Sequence, residues 1–500
     1  MRTLFFRADA DSRIGTGHVM RCLAIAQAWL DRGGKAVFLM RQARSGIRAR
    51  VEREGASIIE LGCEAGTSAD AEQTVRQVAQ RERDWLVVDG YQFGGEYQDV
   101  IKSAGLKLLF LDDCGHCSHY SADLVLNQNL HANESLYARR NAETELLLGA
   151  HYALLRREFL RWKEWTRTIP DRARKLLVTL GGSDPDNVTE HVIEALKSAG
   201  RDLQTTILVG ASNPRYRQLQ QAAAGLERVS MIENASNMAE RMAEADMAVA
   251  GAGSTCWELC FLGLPAIVID LAENQRPVSR ELQRLGAAVD LGDAAEATSV
   301  RIAEALSALV GSRERRTAMS AMGRSLIDGR GASRVCQDME SRGLRLRRAG
   351  EGDCKLLWDW ANDPEIRASA FSPEPIPWES HVSWFRARLA DRASLFFIAL
   401  NAEDVPVGQV RYHLESDRAV LSVNMDRQFR GKGYARRVLA LANQKLFETS
   451  DAKFIDAYVK PENAPSLRAF GNAGFRRIGT REVKGEEAVH FVLERNGIHS

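Results

Sequence analysis

His18 stands behind two glycines in Ile14-Gly15-Thr16-Gly17-His18-Val19-Met20-Arg21, between the apolar run Leu4-Phe5-Phe6 and a long helical pattern. A structural histidine needs no glycines in front of it. At a strand-to-helix turn, glycine lets an anion come close to the backbone, and the exposed N–H groups and dipole of the first helical turn favour it there. His18 would sit beside such a ligand. A helix N-terminus disfavours imidazolium and keeps the ring able to act as a base toward water, while a bound diphosphate pushes the other way. The plainer reading is a tight turn with a capping histidine, since a lone Gly-x-Gly lacks the full dinucleotide fingerprint.

A second turn of this kind is Ala250-Gly251-Ala252-Gly253-Ser254-Thr255-Cys256-Trp257-Glu258, again between a strand pattern and a helix. Ser254 and Thr255 can donate to phosphate. Glu258, one turn into the helix, can accept from two adjacent ribose hydroxyls, or it is a solvated acid that complements the dipole. Asn274 and Gln275 follow the next strand and offer amides to phosphate or sugar.

These turns need a scaffold. Val19, Leu23, Ala26 and Leu30 repeat at helical spacing up to Gly33-Gly34, and strands and helices then alternate through Leu126. After a charged stretch at 156–174 the pattern restarts with the strand 176–180, the turn Gly181-Gly182-Ser183-Asp184-Pro185 and a helix over 187–199. Alternation of this kind predicts two doubly wound parallel sheets. A third composition begins near Leu344. Trp358, Trp360, Trp378 and Trp384 cluster there although the chain has only nine tryptophans, and the strands at 395–400, 409–414 and 419–424 read as antiparallel. The tryptophans either pack helices onto this sheet or line an aromatic pocket. The expected domains are 1–155, 172–335 and 344–500, with 329–342 as the link.

Composition narrows the function. With 500 residues and a net charge of +1, the chain is too long for one core and has no global field for nucleic acid or anionic lipid. Eight irregularly spaced cysteines fit a reducing compartment, and Arg7, Asp9 and Asp11 argue against a signal peptide, so a cytoplasmic protein is expected. No membrane span is expected, and assembly of identical copies stays open. Cys114-Gly115-His116-Cys117 with His119 looks like half a zinc site, but no second cysteine pair has finger-like spacing, so no metal is expected.

The stretches RADADSRIGTGHVMRCLAIA, LVTLGGSDPDN and GAGSTCWELCFLGLPAIVIDLAENQ resemble the motifs of the sugar-nucleotide hydrolases of the pseudaminic acid pathway, over roughly residues 1–334. That family is similar to the glycosyltransferase that makes the peptidoglycan lipid intermediate. The resemblance implies an α/β fold of glycosyltransferase-B type with UDP in the cleft. It makes His18 the residue that activates water, Glu258 the ribose contact, and Gly182, Ser183, Gly253, Ser254, Thr255, Asn274 and Gln275 contacts to phosphate or sugar. Ile232 would hold the uracil edge through its backbone. Gly15 and Gly17 would admit the ligand, and Asp9 and Asp11 would orient water or hydroxyls. The implied reaction is attack of water on the anomeric carbon, with UDP as a leaving group that needs little acid catalysis.

Gln428-x-x-Gly431-x-Gly433, which follows the strand at 419–424 and opens an Ala- and Leu-rich helix, resembles the pyrophosphate loop of the GNAT acetyltransferases. Asn463-Ala464-Pro465-Ser466 and Ala473-Gly474-Phe475 resemble that family's later motif, so the likeness covers about 344–493. It implies a GNAT domain with a mixed, largely antiparallel sheet. Acetyl-CoA would be held by Val423, Gln428, Arg430, Gly431, Lys432, Gly433, Tyr434, Ala435, Asn463 and Ser466. Many members carry a tyrosine four residues past the Ser466 position as the acid for the leaving thiolate; here that residue is Phe470. Tyr458, Tyr434 or a water remain for the acid, and His381, Glu379 and Glu415 are candidates for the base.

Joined, the two resemblances imply one chain for two consecutive steps. Acetyl-CoA acetylates the 4-amine of a UDP-linked dideoxy sugar, and the hydrolase then releases UDP from UDP-2,4-diacetamido-2,4,6-trideoxy-β-L-altropyranose. The alternatives are a hydrolysing 2-epimerase with the acetyltransferase of the legionaminic acid pathway, or a glycosyltransferase with a non-catalytic GNAT-like module.

Overall fold

The computed structural model describes residues 2–11, 15–79, 85–182, 184–199, 202–210, 213–233, 235 and 237–495. It divides into two compact units, Met1–Cys336 and Gln337–Ser500. Among the described residues no helix is long and apolar enough to cross a membrane.

The first unit holds two parallel sheets. The strands of the first are β1 (Thr3–Ala8), β2 (Lys35–Met40), β3 (Ser57–Glu60), β4 (Trp85–Asp89), β5 (Lys107–Leu111), β6 (Leu124–Asn127) and β7 (Glu145–Leu148), in the spatial order β3-β2-β1-β4-β5-β6-β7. Every residue of β1 and β4 is buried. That is why both read as continuous apolar runs: helices cover both faces of a parallel sheet. The second sheet has β8 (Lys175–Thr179), β9 (Gln204–Val209), β10 (Val229–Glu233), β11 (Met247–Gly251), β12 (Ala266–Asp270) and β13 (Val289–Asp293), in the order β10-β9-β8-β11-β12-β13. Strand order reverses between β1 and β4 in one sheet and between β8 and β11 in the other. Ligands of open parallel sheets bind at such reversals, beyond the carboxyl ends of the strands.

Polar side chains pin β1 to its cover. Arg7, fully buried, donates from Nε to Asp70 Oδ1 at 2.9 Å and from Nη2 to Oδ2 at 3.0 Å, while Nη1 reaches Asp9 at 2.7 Å. Asp70 sits in the first turn of the helix Ser68–Val78 and is also buried. Asp70→Ala is expected to cost about 3 kcal/mol, the low end for stripping a buried ion pair, because Asp9 still faces Arg7. A denaturant midpoint that does not move would show the pair to be unimportant.

The stretch 329–342, expected as a link, holds the division between the two units and is built as the helix Gly331–Ser341. A Cβ on Gly331 would lie 2.2 Å from the Ala153 carbonyl oxygen, so glycine permits this helix to begin against the backbone of the first unit.

The second unit has one mixed sheet: β14 (Arg345–Arg348), β15 (Ser394–Leu400), β16 (Pro406–Glu415), β17 (Arg418–Met425), β18 (Phe454–Val459), β19 (Arg476–Val483) and β20 (Glu486–Glu494), in the order β14-β15-β16-β17-β18-β20-β19. Only β17 and β18 pair in parallel; the other neighbours are antiparallel. Period-two alternation sets the faces. Phe396, Ile398 and Leu400 join Leu357, Trp360 and Phe385 of the helices Cys354–Ala361 and Trp378–Ala390. Leu395, Phe397 and Ala399 join Val438, Leu439 and Ala442 of the helix Tyr434–Thr449.

Candidate active sites

In the first unit, both reversal points are furnished with the chemistry-bearing turns. Beyond β1 come Gly15, with φ of 71°, and the helix Gly17–Leu30; β4 ends on Asp89. His18 Nδ1 lies 2.7 Å from Asp89 Oδ1. Arg21, one turn further along the helix, donates to both Asp89 oxygens at 2.6 Å and to both Asp113 oxygens at 2.7 and 2.9 Å. Burial alone would raise the Asp89 carboxyl, but Arg21 and His18 outweigh it and hold it well below the ordinary carboxylate range. An ionised Asp89 therefore orients the imidazole through Nδ1. Nε2 is left without a hydrogen-bond partner among the described residues. A carboxylate-oriented imidazole with a free Nε2 can take a proton from water.

The second sheet brings its own turn to this place. A Cβ on Gly182, after β8, would lie 3.9 Å from the Gly15 Cα, whereas one on Gly15 or Gly17 would meet nothing within 4 Å. Asn274 donates from Nδ2 to the Tyr91 hydroxyl at 2.6 Å, and that hydroxyl donates to Asp113 at 2.8 Å. Burial, followed by Asp113, pushes the Tyr91 phenol up, so it stays protonated. Gly253 faces the Gln275 side chain, Ser254 is exposed and Thr255 is half-buried at the start of the helix Thr255–Phe261. Glu258 accepts from Arg156 Nη2 at 2.8 Å; burial pushes its carboxyl up and Arg156 opposes this. Ile232 is half-buried in β10, paired with Leu208. Asp9 lies apart from His18 in its bonding: its oxygens accept from Arg7 and from the Arg41 backbone N–H at 2.7 Å. Asp11 is exposed and bridges to Gly15. Ser183 lies outside the described residues.

Sequence reading does not single out Asp89, Arg21, Asp113 or Tyr91. The available signal was positional: Asp89-Gly90-Tyr91 ends an apolar strand beside the reversal point, where polar residues meet ligand.

Around the Cys114-Gly115-His116-Cys117 stretch, ligand atoms of Asp112, His116 and Cys117 lie within 4.8 Å of one another. Internal bonds occupy much of this group. Asp112 accepts from the Cys114 and Gly115 N–H groups at 2.8 and 2.9 Å and from the Tyr120 hydroxyl, and His116 Nε2 is 3.2 Å from the Phe93 carbonyl. Burial would lower the His116 pKa, but Asp112 and Cys117 push it up to about 10.

In the second unit, Gly431 and Gly433 have φ of 71° and 82°, and Gly433 caps the 16-residue helix Tyr434–Thr449. Asp426 braces the turn, accepting from the Gln428 N–H and from Trp360 Nε1, each at 2.8 Å. Arg430 braces it too, donating to the Met425 carbonyl at 3.0 Å, to Asp363 at 2.8 Å and to Glu365 at 2.9 Å. Lys432 Nζ stands 5.9 Å over the Phe429 ring, and Tyr434 is buried with Ala435 half-buried behind it. β17 and β18 pair only over Arg418–Val420 and Phe454–Asp456, after which the strands part. Val423 lies on the parted stretch and is paired on its other side with Val410 of β16. Asn463 caps its helix by accepting from the Ser466 N–H at 3.1 Å. Phe470 stacks on Phe491 with centroids 5.8 Å apart, in the core.

His381 is 2 % exposed, its Nε2 3.1 Å from the Cys354 carbonyl and its ring stacked on Phe385. Burial pushes this imidazole down, and the ring fastens one helix to another. Glu379 and Glu415 are exposed. Tyr458 accepts from Arg481 at 3.3 Å and stacks at 4.7 Å on His490, a residue in a strand the sequence does not mark.

Comparison with known proteins bears on the two units as follows. Residues 176–330 match the family described as Glycosyltransferase family 28 C-terminal domain, and residues 343–476 match the Acetyltransferase (GNAT) domain. Among curated proteins, the chain is 23 % identical over 502 residues to the uncharacterized protein MJ1062 of Methanocaldococcus jannaschii, covering 97 % of this chain and 98 % of that one. It is 25 % identical to the spore coat polysaccharide biosynthesis protein SpsG of Bacillus subtilis, over 52 % of this chain and 77 % of that one. It is also 25 % identical to the UDP-2,4-diacetamido-2,4,6-trideoxy-beta-L-altropyranose hydrolase of Campylobacter jejuni, over 57 % of this chain and 98 % of that one. Fold and matches define an α/β enzyme in which a glycosyltransferase-B-like pair of Rossmann-type domains precedes a GNAT domain. Its first part is thus similar to a sugar-nucleotide hydrolase and its last part matches an acetyltransferase domain.

Proposed function

We propose that the second unit transfers acetyl from acetyl-CoA to the 4-amine of a UDP-linked 4-amino-4,6-dideoxy acetamido sugar, and that the first unit hydrolyses the product, UDP-2,4-diacetamido-2,4,6-trideoxy-β-L-altropyranose, to the free sugar and UDP. The observation that carries the reading is the His18–Asp89 pair at one reversal point, with the glycine turn of the second sheet beside it. His18 Nε2 takes the proton from water as oxygen attacks the anomeric carbon, and the C1–O bond breaks toward the diphosphate. Backbone N–H groups of the facing turns, with Ser254, Thr255, Asn274 and Gln275, receive the developing charge. Glu258 accepts from the ribose hydroxyls once Arg156 yields it. In the second unit the Gly431–Gly433 turn holds the CoA diphosphate. A cytoplasmic enzyme of surface-glycan biosynthesis fits this chemistry.

The test is NMR of the enzyme with the UDP-linked 4-amino sugar, with and without acetyl-CoA. Acetylation followed by release of UDP and a free diacetamido sugar of altrose configuration supports the reading. An untouched 4-amino compound, with UDP released from other sugar nucleotides, overturns the substrate. A changed configuration at C2 identifies an epimerase. Glu258→Gln is expected to raise the Kd for UDP about tenfold, the worth of a hydrogen bond to a charged acceptor. Unchanged calorimetric affinity would remove the ribose contact.

A further inference from the structure

His490 and Asp456 form a second histidine–carboxylate pair, in the acetyltransferase unit. His490 Nε2 lies 2.7 Å from Asp456 Oδ1, and Arg418 clamps both Asp456 oxygens at 2.6 Å. Burial would raise the Asp456 carboxyl; Arg418 and His490 keep it below its ordinary range, so it stays ionised. Nδ1 of His490 has no hydrogen-bond partner among the described residues.

The pair's location gives it a use. β17 and β18 separate beyond Val420 and Asp456, and the glycine turn lies past the far end of β17. An acyl-thioester arm anchored by its diphosphate at Gly431–Gly433 and laid along the unpaired edge of β17 runs toward the apex of that gap. Asp456 stands at the apex. Period-two alternation puts Asp456, Tyr458 and His490 on the sheet face opposite Ile455, Ala457 and Val459, which pack in the core with the helix Tyr434–Thr449. The ring is thus on the face from which an acceptor can approach. The charged and titratable groups around it are Asp456 and Tyr458 of β18, Arg418 of β17 behind Asp456, and Arg481 of β19 on the Tyr458 hydroxyl.

We propose that His490, oriented by Asp456, is the base of the acetyl transfer and that Asp456 is its positioning residue. The inference rests on the reading of this unit as an amine acetyltransferase. An acceptor ammonium gives one proton to His490 Nδ1, and the resulting amine attacks the thioester carbonyl carbon. The tetrahedral intermediate collapses with rupture of the C–S bond, and the second nitrogen proton ends on the departing thiolate. Amide and free CoA thiol are the products, and His490 returns its proton to solvent. His381 and Phe470, both buried, take no part.

His490→Gln keeps a donor for Asp456 and so preserves the Arg418 clamp. The full chain is assayed for CoA thiol release with the UDP-linked 4-amino sugar, glucosamine and spermidine as acceptors. Whichever amine the parent acetylates, the variant is expected to lose about 100-fold or more in kcat, the lower range for general-base catalysis. The acidic limb of its kcat/KM–pH profile should disappear, and its acetyl-CoA affinity should stay within about twofold, the sign of an intact unit. Asp456→Asn is expected to lower kcat as well and to displace the acidic limb, because the amide no longer fixes the charged partner of the ring. A parent that acetylates a tested amine and a variant that matches it in kcat and pH profile overturn the role of the pair alone. A parent that binds acetyl-CoA but acetylates none of the three overturns the acetyltransferase reading, and the pair's role falls with it.

Discussion

His18→Ala is expected to slow UDP release by about 10²–10⁴-fold, the range for loss of a general base, while acetyl transfer continues at the parent rate. With both substrates supplied, the variant should accumulate the UDP-linked diacetamido sugar, which NMR reads directly. The size of the loss follows from the geometry. Asp89 is fully buried at the end of β4, ionised between Arg21 and His18, and fixes which ring nitrogen is left for water. Asp89→Asn would test the same pair less cleanly. It removes the carboxylate from a buried arginine as well as from the histidine, and so costs stability along with rate. The sign of the pH effect separates the two. The folded-state pKa of Asp89 lies below its ordinary value, so its ion pairs stabilise the fold fully above the ordinary carboxylate range. That stabilisation is lost only as pH falls toward the depressed value. Activity lost at neutral pH with an unchanged unfolding midpoint therefore reports on catalysis. UDP release by His18→Ala at the parent rate would remove His18 from the mechanism.

The turns were legible in the sequence because their chemistry is local. Glycines at a strand-to-helix junction need only neighbouring residues, and Gly15, Gly182, Gly253, Gly431 and Gly433 stand where the strand patterns put them. Partners brought by other strands were not legible. Asp89 follows His18 by 71 residues and Asp456 precedes His490 by 34, and nothing in the spacing ties them. Several strands escape the pattern because their burial is incomplete, while the mostly buried β18 escapes it because Asp456 interrupts its apolar residues. β10, β13, β14 and β19 are all sheet edges, half-buried or exposed over most of their length, so no apolar run marks them. His490 was hidden because it is the single polar residue in the run Ala488–Leu493 of β20, where nothing in the pattern distinguishes it. His381 looked available because its helix start is polar; its ring instead turns into the core beside Phe385.

Gly431→Glu is expected to abolish acetylation at ordinary acetyl-CoA concentrations, raising the Kd for acetyl-CoA by about 100-fold or more, and to leave UDP release intact when the acetylated sugar is supplied. A carboxylate placed against a diphosphate costs several kcal/mol, and each 1.4 kcal/mol is a factor of ten. The substitution is suited to this purpose because a Cβ on Gly431 meets no other atom within 4 Å, so the new side chain enters the space offered to ligand rather than the core. The left-handed backbone, φ 71°, adds strain of about 1–2 kcal/mol for any non-glycine residue. Gly431→Ala carries that strain without the charge. A large loss of acetyl-CoA affinity in the glutamate variant and a small one in the alanine variant assign the effect to the diphosphate. Equal losses assign it to the backbone. A glutamate variant that keeps its acetyl-CoA affinity would mean that the turn does not hold the cofactor. His18→Ala and Gly431→Glu are then reciprocal. One should halt with the acetylated UDP sugar and the other with the 4-amino sugar, and mixing the two variants should restore the full sequence, because each retains the half that the other lacks.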